Sequence, residues 1–278
     1  MRKFKKIFIL SLFIIVIVLV SVYFSVASRQ KLFYGVTFSQ KFAEELGLDW
    51  KKNYINILDD LRVRELRLIA YWDKIESKED EFDFKDLDWQ VSEAEERGAK
   101  IILALGKKTP RWPECHVPSW ARNMEHEAYN KKLLNYIENV VTRYKLYDSI
   151  TAWQVENEPL FPFGECGMVG IGLLNKEIEL VRSLDGLSDS KTGGQILLTD
   201  AGELGFAWPY LAAKSDIFGT TLYRYVHNQA LGQIRYGFIP AYYFKIKAFW
   251  AHKILGKEIL ISELQAEPWV TQLISTVL

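Results

Sequence analysis

This sequence predicts one α/β domain, a (β/α)8 TIM barrel lacking its eighth helix-strand unit and preceded by one N-terminal transmembrane helix. Three observations lead there. Strand-like and helix-like segments alternate along the chain with no visible repeat and no low-complexity linker, the pattern of successive β-α units in one α/β domain. Setting aside residues 1–27 leaves about 250 residues, the usual size of such a barrel and enough for one large core. Two strand-like stretches far apart in the chain, 150–157 and 258–263, run into glutamates.

The leader comes first in the chain. Residues 1–6 carry Arg2, Lys3, Lys5 and Lys6, and residues 7–27 hold no charged side chain. A helix rises about 1.5 Å per residue, so about 20 apolar residues cross the ~30 Å of hydrocarbon, whereas the core of a cleaved signal is about 7–15 residues. Residues 1–6 therefore read as a cytoplasmic basic segment and 7–27 as a single-pass signal anchor in the cell membrane. The positive-inside rule then puts 28–278 on the extracytoplasmic side. A second reading is secretion after cleavage, because Ser25, Val26 and Ala27 offer small residues just ahead of Ser28. Four of the 35 basic residues lie in the leader, against 35 acidic residues in all, so the exported part is mildly acidic. It has no basic bias to suggest a nucleic-acid partner.

Beyond the leader, strands are expected at 32–38, 65–72, 100–106, 150–157, 195–200, 217–223 and 258–263, all rich in branched and aromatic residues. Between them, Tyr54, Ile57, Leu58 and Leu61 share one helical face. Leu87, Val91 and Ala94 do so ahead of Gly98, a C-cap, and Leu133, Leu134, Ile137, Val140, Val141 and Tyr144 do so in a longer helix. Only nine residues follow Trp269, too few for a helix and a further strand. The barrel is thus expected to be open between its first and seventh strands, each with an unpaired edge, and apolar core is expected in the gap. A 28–278 fragment is expected to be poorly soluble, partly unfolded or inactive, because the lost burial rivals a domain's whole margin of stability.

The chemistry concentrates at two strand ends. In 150-ITAWQVENEP-159, Pro159 stops the strand by removing a donor and leaves Glu158 at its carboxyl end. Ile259, Leu260 and Ile261 lead in the same way to Glu263. Two carboxyls at the ends of parallel strands suit a retaining glycosidase, which needs them about 5–5.5 Å apart. Displacement at an anomeric carbon needs an ionised nucleophile and a protonated acid, so the two must titrate differently. Arg67 and the Tyr223 hydroxyl favour a charged Glu263, while burial and the charge of Glu263 favour a protonated Glu158. Asn157 is placed to bond a sugar 2-hydroxyl. Strict alternation would send Asn157 and Glu158 to opposite faces, so a backbone bulge is expected there.

Each candidate has a plainer explanation. A strand-end glutamate taken singly is more often solvated or salt-bridged, and only its combination with Arg67, Asn157 and Tyr223 favours catalysis. Glu156 shares a face with Glu158 by period 2 but is as well explained by an ion pair. Trp72, Trp112 and Trp269 follow strands, where rings stack on sugars or simply pack. Lys107, Lys108, Arg111, Glu114 and His116 form a charged loop that reaches a substrate or is only solvated. Cys115 and Cys166 fall in adjacent loops on one face of an exported domain and are expected to form a disulfide. The four histidines show no paired spacing, the cysteines make no C-x-x-C, and no phosphate-binding glycine pattern is present. No metal or cofactor is expected.

Over about residues 34–269 these features resemble the clan A glycoside hydrolases, retaining (β/α)8 families that include cellulases, mannanases and β-galactosidases. The resemblance implies that Asn157 and Glu158 match the clan's Asn-Glu acid/base pair and that Glu263 matches its nucleophile. It also implies that Arg67, within Leu66, Arg67 and Leu68, is the arginine near that nucleophile, and that Tyr223 is the tyrosine bonded to it. Residues 72–84 resemble the clan's W-x-x-I-E-P-x-x-G-x-F-D-F loop, with Ser77 and Asp80 replacing its Pro and Gly. The clan's tryptophan ending strand 8 has no counterpart. The implied function is retaining hydrolysis of O-glycosidic bonds in a poly- or oligosaccharide, with carbohydrate as substrate and the membrane met through residues 7–27. The competing class is a catalytically inactive carbohydrate-binding or truncated barrel, and DNA encoding a further helix and strand beyond residue 278 would favour the enzyme.

Overall fold

The structure, a computed structural model, describes residues 2–25, 33–186, 194–228 and 232–264. In chain order its elements are α1 (Arg2–Ser25), β1 (Val36–Thr37), α2 (Gln40–Glu45), α3 (Trp50–Asp59), β2 (Glu65–Ile69), α4 (Trp72–Ile75), α5 (Lys85–Glu96), β3 (Lys100–Leu105) and α6 (His126–Tyr144). Then come β4 (Ile150–Val155), α7 (Ile171–Asp185), β5 (Gln195–Asp200), α8 (Trp208–Lys214), β6 (Ile217–Leu222), β7 (Tyr225–Asn228), β8 (Gly232–Arg235), α9 (Ala241–Phe249) and β9 (Glu258–Leu264).

Seven strands form one parallel sheet in the order β1-β2-β3-β4-β5-β6-β9, and β7 and β8 pair separately as an antiparallel hairpin. Successive strands lie side by side because each crossover carries a helix that covers the sheet's outer face. Alternation then sorts the side chains. Leu66 and Leu68 of β2, Ile101 and Leu103 of β3, and Trp153 and Val155 of β4 join the outer core with Tyr54, Leu58, Val91 and Tyr136 from the helices. Arg67, Ile69, Ala104 and Gln154 occupy the intervening positions, and Ile69 and Ala104 meet in a separate inner cluster with Tyr71. The polar members of this inner set point where the candidate site lies.

Several expectations need correction. The first strand is two residues long rather than spanning 32–38, and the second stops at Ile69 because Trp72 already belongs to α4. Leu61 does not extend the apolar face of α3: the helix ends at Asp59, and Leu61 is exposed. The β7-β8 hairpin went unread, its strands being four residues each and built around a glycine.

At the N-terminus, α1 runs for 24 residues. Its described side chains, Lys6 and residues 8–19, are all exposed. Among the described residues no helix is long and apolar enough to cross a membrane.

Among the described residues β1 and β9 each pair on one side only, and Ile261 and Leu264 of β9 are 49% and 67% exposed. Trp269 lies outside the described residues.

Candidate active site

The sheet's carboxyl end gathers three carboxyls, two cations and an amide. β4 ends at Val155, and Glu156 and Glu158 both take left-handed backbone, φ 60° and 43°. The expected bulge is replaced by this double turn, which carries Asn157 and Glu158 off the pleat instead of leaving them on opposite faces. Such conformations cost roughly 1–2 kcal/mol each outside glycine, so the surroundings must hold them. They do: the Glu158 N–H donates to Thr199 Oγ1 at 2.8 Å, and its carbonyl accepts from Lys108 Nζ at 2.9 Å. The Glu158 side chain is buried, with Oε1 unpartnered among the described residues. Burial, then the charges of Glu114 and Glu263, push its carboxyl well above the usual carboxylate range, against the pull of Lys108.

Glu263 sits differently. In the pairing of β6 with β9, Thr220 faces Ile261 and Thr221 faces Glu263, so Ser262 is an extra residue that turns the strand just before the glutamate. Arg67 Nη2 donates to Glu263 Oε1 at 2.8 Å. The same guanidinium donates through Nε to Thr37 Oγ1 at 2.9 Å and through Nη1 to Gln154 Oε1 at 3.2 Å. Strands β1, β2 and β4 therefore aim one cation at β9. The Tyr223 hydroxyl donates to Glu263 Oε2. Burial and the neighbouring Glu263 raise the Tyr223 pKa, which keeps it a donor.

Asn157 links the two halves. Its Oδ1 accepts from Gln154 Nε2 at 3.0 Å and its Nδ2 donates to Glu114 Oε1 at 3.3 Å, which orients the amide. Glu114 and Lys108 come from the charged loop whose sequence leaves substrate contact and plain solvation both open. Glu114 is buried, and burial, then Glu263, pushes its carboxyl up to about 7. Lys108 is fully buried and spends its ammonium on the carbonyls of Glu158 and Phe161, at 2.9 and 2.7 Å. The one sequence signal for Glu114 was its place beside Cys115. In the same loop His116 is buried against Tyr71, Lys41 Nζ lies 3.0 Å from its Nδ1, and burial and Lys41 push it down to about 4.

Among the described residues Glu156 is neither exposed to the barrel interior nor half of an ion pair. It is buried and accepts the N–H groups of Lys107 at 3.0 Å and Lys108 at 2.6 Å. It anchors the loop after β3 to the end of β4. Gly106 is needed for this: its φ is 112°, and a Cβ there would lie 2.4 Å from Glu156 Cδ. Trp72 is likewise no sugar platform, being wholly buried, stacked on Tyr136 and donating its indole N–H to Glu76 at 2.8 Å. Trp112 is 59% exposed, its ring centre 6.0 Å from that of Phe163. Cys115 and Cys166 are joined in a disulfide with Cα atoms 4.9 Å apart. Among the described residues no group of three or more His, Cys, Asp or Glu could hold a metal.

Comparison with known proteins agrees with this architecture. Residues 69–168 match the family model of Glycosyl hydrolase family 10. Mannan endo-1,4-beta-mannosidase 1 of Solanum lycopersicum is 31% identical over 133 residues, covering 38% of this chain and 32% of its own. The chain thus spans about a third of the length of that curated relative. Xylanase 10B from Thermotoga petrophila RKU-1, solved with xylobiose, superposes with a TM-score of 0.59 at 15% identity, covering 88% of this chain and 78% of that one. GH5_18 from Streptomyces cattleya, solved with GlcNAc, superposes at 0.53 and 12% identity over 70% of this chain and 52% of that one. The superpositions show the fold, a parallel α/β barrel architecture. The two sequence matches make part of this chain similar to glycoside hydrolases of the clan A kind.

Proposed function

We propose, taking that clan A likeness as the premise, that this chain is a retaining glycoside hydrolase acting through Glu158 and Glu263 on a β-linked polysaccharide or oligosaccharide. The observation that carries the reading is the contrast between the two glutamates. One is buried, with burial and neighbouring carboxyls raising its pKa, and the other is paired with a cation and a hydroxyl. In the first step a Glu263 carboxylate oxygen attacks the anomeric carbon while Glu158 gives its proton to the glycosidic oxygen, and the leaving sugar departs as an alcohol. In the second, the ionised Glu158 takes a proton from water, which attacks the anomeric carbon and releases Glu263. Asn157 is oriented to bond the sugar's 2-hydroxyl, and Trp112 offers an exposed ring for a neighbouring sugar. Mannan and xylan are the first substrates to try, since the relatives' names point to them. The uncharged run 7–27 behind four basic residues supports a membrane anchor with the barrel outside the cell.

Trapping tests the reading. The full chain in detergent would be treated with 2-deoxy-2-fluoro β-glycosides of mannose, xylose and glucose, and its peptides weighed. The expected adduct sits on the peptide holding Glu263. Glu263→Ala is expected to lose turnover by about ten-thousand-fold or more, while Glu158→Ala keeps activity only on aryl glycosides with good leaving groups. An adduct elsewhere, or wild-type turnover in Glu263→Ala, would overturn the assignment.

A further inference from the structure

Glu114 lies outside the pair just assigned, yet the fold goes to some length to deliver it. The residue is 7% exposed and has left-handed backbone, φ 54°. Its N–H donates to the Arg111 carbonyl at 2.7 Å, and the N–H of Glu165 donates to the Pro113 carbonyl at 3.0 Å. The next residue, Cys115, is bonded to Cys166. Gly164 closes on it from the opposite loop: a Cβ there would lie 2.8 Å from Glu114 Cβ and 2.9 Å from Pro113 O. The loops after β3 and β4 are thus fastened to one another at this point, and strained backbone held so firmly is a reason to look for a function.

The side chain supplies one. Oε1 accepts from Asn157 Nδ2 at 3.3 Å, and Oε2, also buried, has no hydrogen-bond partner among the described residues. An orphaned buried acceptor is unfavourable until something donates to it. Here it stands beside an amide placed for a sugar hydroxyl, so a second hydroxyl of the same sugar is the donor that fits.

We propose that Glu114 is a third working carboxyl of this site, positioning Asn157 through Oε1 and accepting a hydroxyl of the bound sugar at Oε2. This rests on the glycosidase reading above. A sugar lacking that hydroxyl would leave the acceptor unpaired, which makes Glu114 a specificity-determining residue. The charged and polar groups facing Glu114 are Glu263 of β9, Lys108 of its own loop, Arg67 of β2 and the Asn157 amide. Those facing Glu158 are Glu114, Glu263, Lys108 and Asp200 at the end of β5. The charge of Glu114 therefore also bears on the acid.

The test uses the full chain in detergent with Glu114→Gln and Glu114→Ala, on 4-nitrophenyl β-glycosides of glucose, mannose, xylose and galactose. Glu114→Gln is expected to lower kcat/KM about 10–100-fold, mainly through KM, and to move the alkaline limb of the pH profile to lower pH. A merely structural role would lower the melting temperature and leave that limb in place. Wild-type kcat/KM with an unmoved limb would overturn the proposal. If the wild type cleaves none of the panel, the glycosidase reading fails separately, and exchange of the Asn157 side-chain amide protons decides this one. That exchange is expected to speed up in Glu114→Ala but not in Glu114→Gln, and unchanged exchange in both would overturn it.

Discussion

The two glutamates occupy opposite kinds of ground. Glu158 leaves β4, a strand flanked on both sides, whose residues are buried apart from the half-buried Thr151. Glu263 ends β9, which pairs only with β6 among the described residues and has no buried position. Burial on the β4 side removes water from a carboxyl that has no donor on Oε1 among the described residues, which raises its pKa. On the β9 side the carboxylate keeps 22% exposure and takes Arg67 and Tyr223 instead. Among the described residues a sheet dense in its middle and paired on one side at its edge thus gives two identical side chains different surroundings. Two buried lysines follow the same logic, each covering loop carbonyls at the sheet's carboxyl end: Lys108 for the loop after β4, and Lys247 for the loop after β5, where it reaches Gly202 O at 2.9 Å.

If the contrast in packing is real, truncation should be felt very unequally. Trp153→Ala in β4 removes a fully buried ring that also donates to Asp185 at 3.0 Å, and is expected to cost about 3–5 kcal/mol in denaturant unfolding. Ile261→Ala in β9 is expected to cost about 0.5 kcal/mol or less, as at a surface position. Equal costs would mean that β9 is covered by residues outside those described.

The proton balance of the buried side sharpens the comparison. Burial raises Glu114 to about 7 and Asp200 to about 6, both above their ordinary values. A carboxyl raised in the folded state stabilises fully below its unfolded pKa, and that contribution is lost as pH rises through the folded one. For these two groups together thermal unfolding should therefore show greater stability near pH 5 than near pH 8, by on the order of a few kcal/mol, partly offset by His116, whose lowered pKa makes it gain stability as pH rises over the same window. Stability that rises across that window would contradict the burial assigned to them.

On the open side the expected effect is smaller. Tyr223→Phe deletes the hydroxyl on Glu263 Oε2 but leaves Arg67 on Oε1. A hydrogen bond to a charged group contributes about 1.5–3 kcal/mol, so kcat/KM should fall roughly 10–100-fold while folding stability changes little. An unchanged rate would show that Arg67 alone sets the charge of Glu263.

How much of this was legible in the sequence depends on how local the signal is. The seven sheet strands were, because each is a short apolar run bounded by polar turns, and Gln195–Asp200 was read to the residue. Tyr223 follows β6 and Glu263 lies near the end of β9, its neighbour in the sheet, whereas Arg67 sits mid-β2 and reaches Glu263 from near the sheet's other edge. Glu156 was misread because period 2 holds only while the backbone stays extended, and its φ of 60° ends that. Glu114 and Lys108 were less legible for another reason. A run such as 107-KKTPRWPEC-115 looks solvated by composition. Its burial arises from the loop after β4 closing over it, a contact between segments about 50 residues apart. Thr199 and Gln154 gave no sign at all, since a neutral polar residue in a strand reads as an ordinary alternation.

The central claim is that burial and the neighbouring carboxyls hold the Glu158 carboxyl well above the usual carboxylate range, and the direct measurement is a 13C titration of glutamate side chains in the labelled full-length protein, with Glu158→Gln to identify the signal. The account expects Glu158 to titrate well above the exposed glutamates of the same sample, and to move down in Glu263→Gln because that neighbour's charge is gone. A Glu158 midpoint that coincides with the exposed glutamates, unmoved by Glu263→Gln, would contradict it.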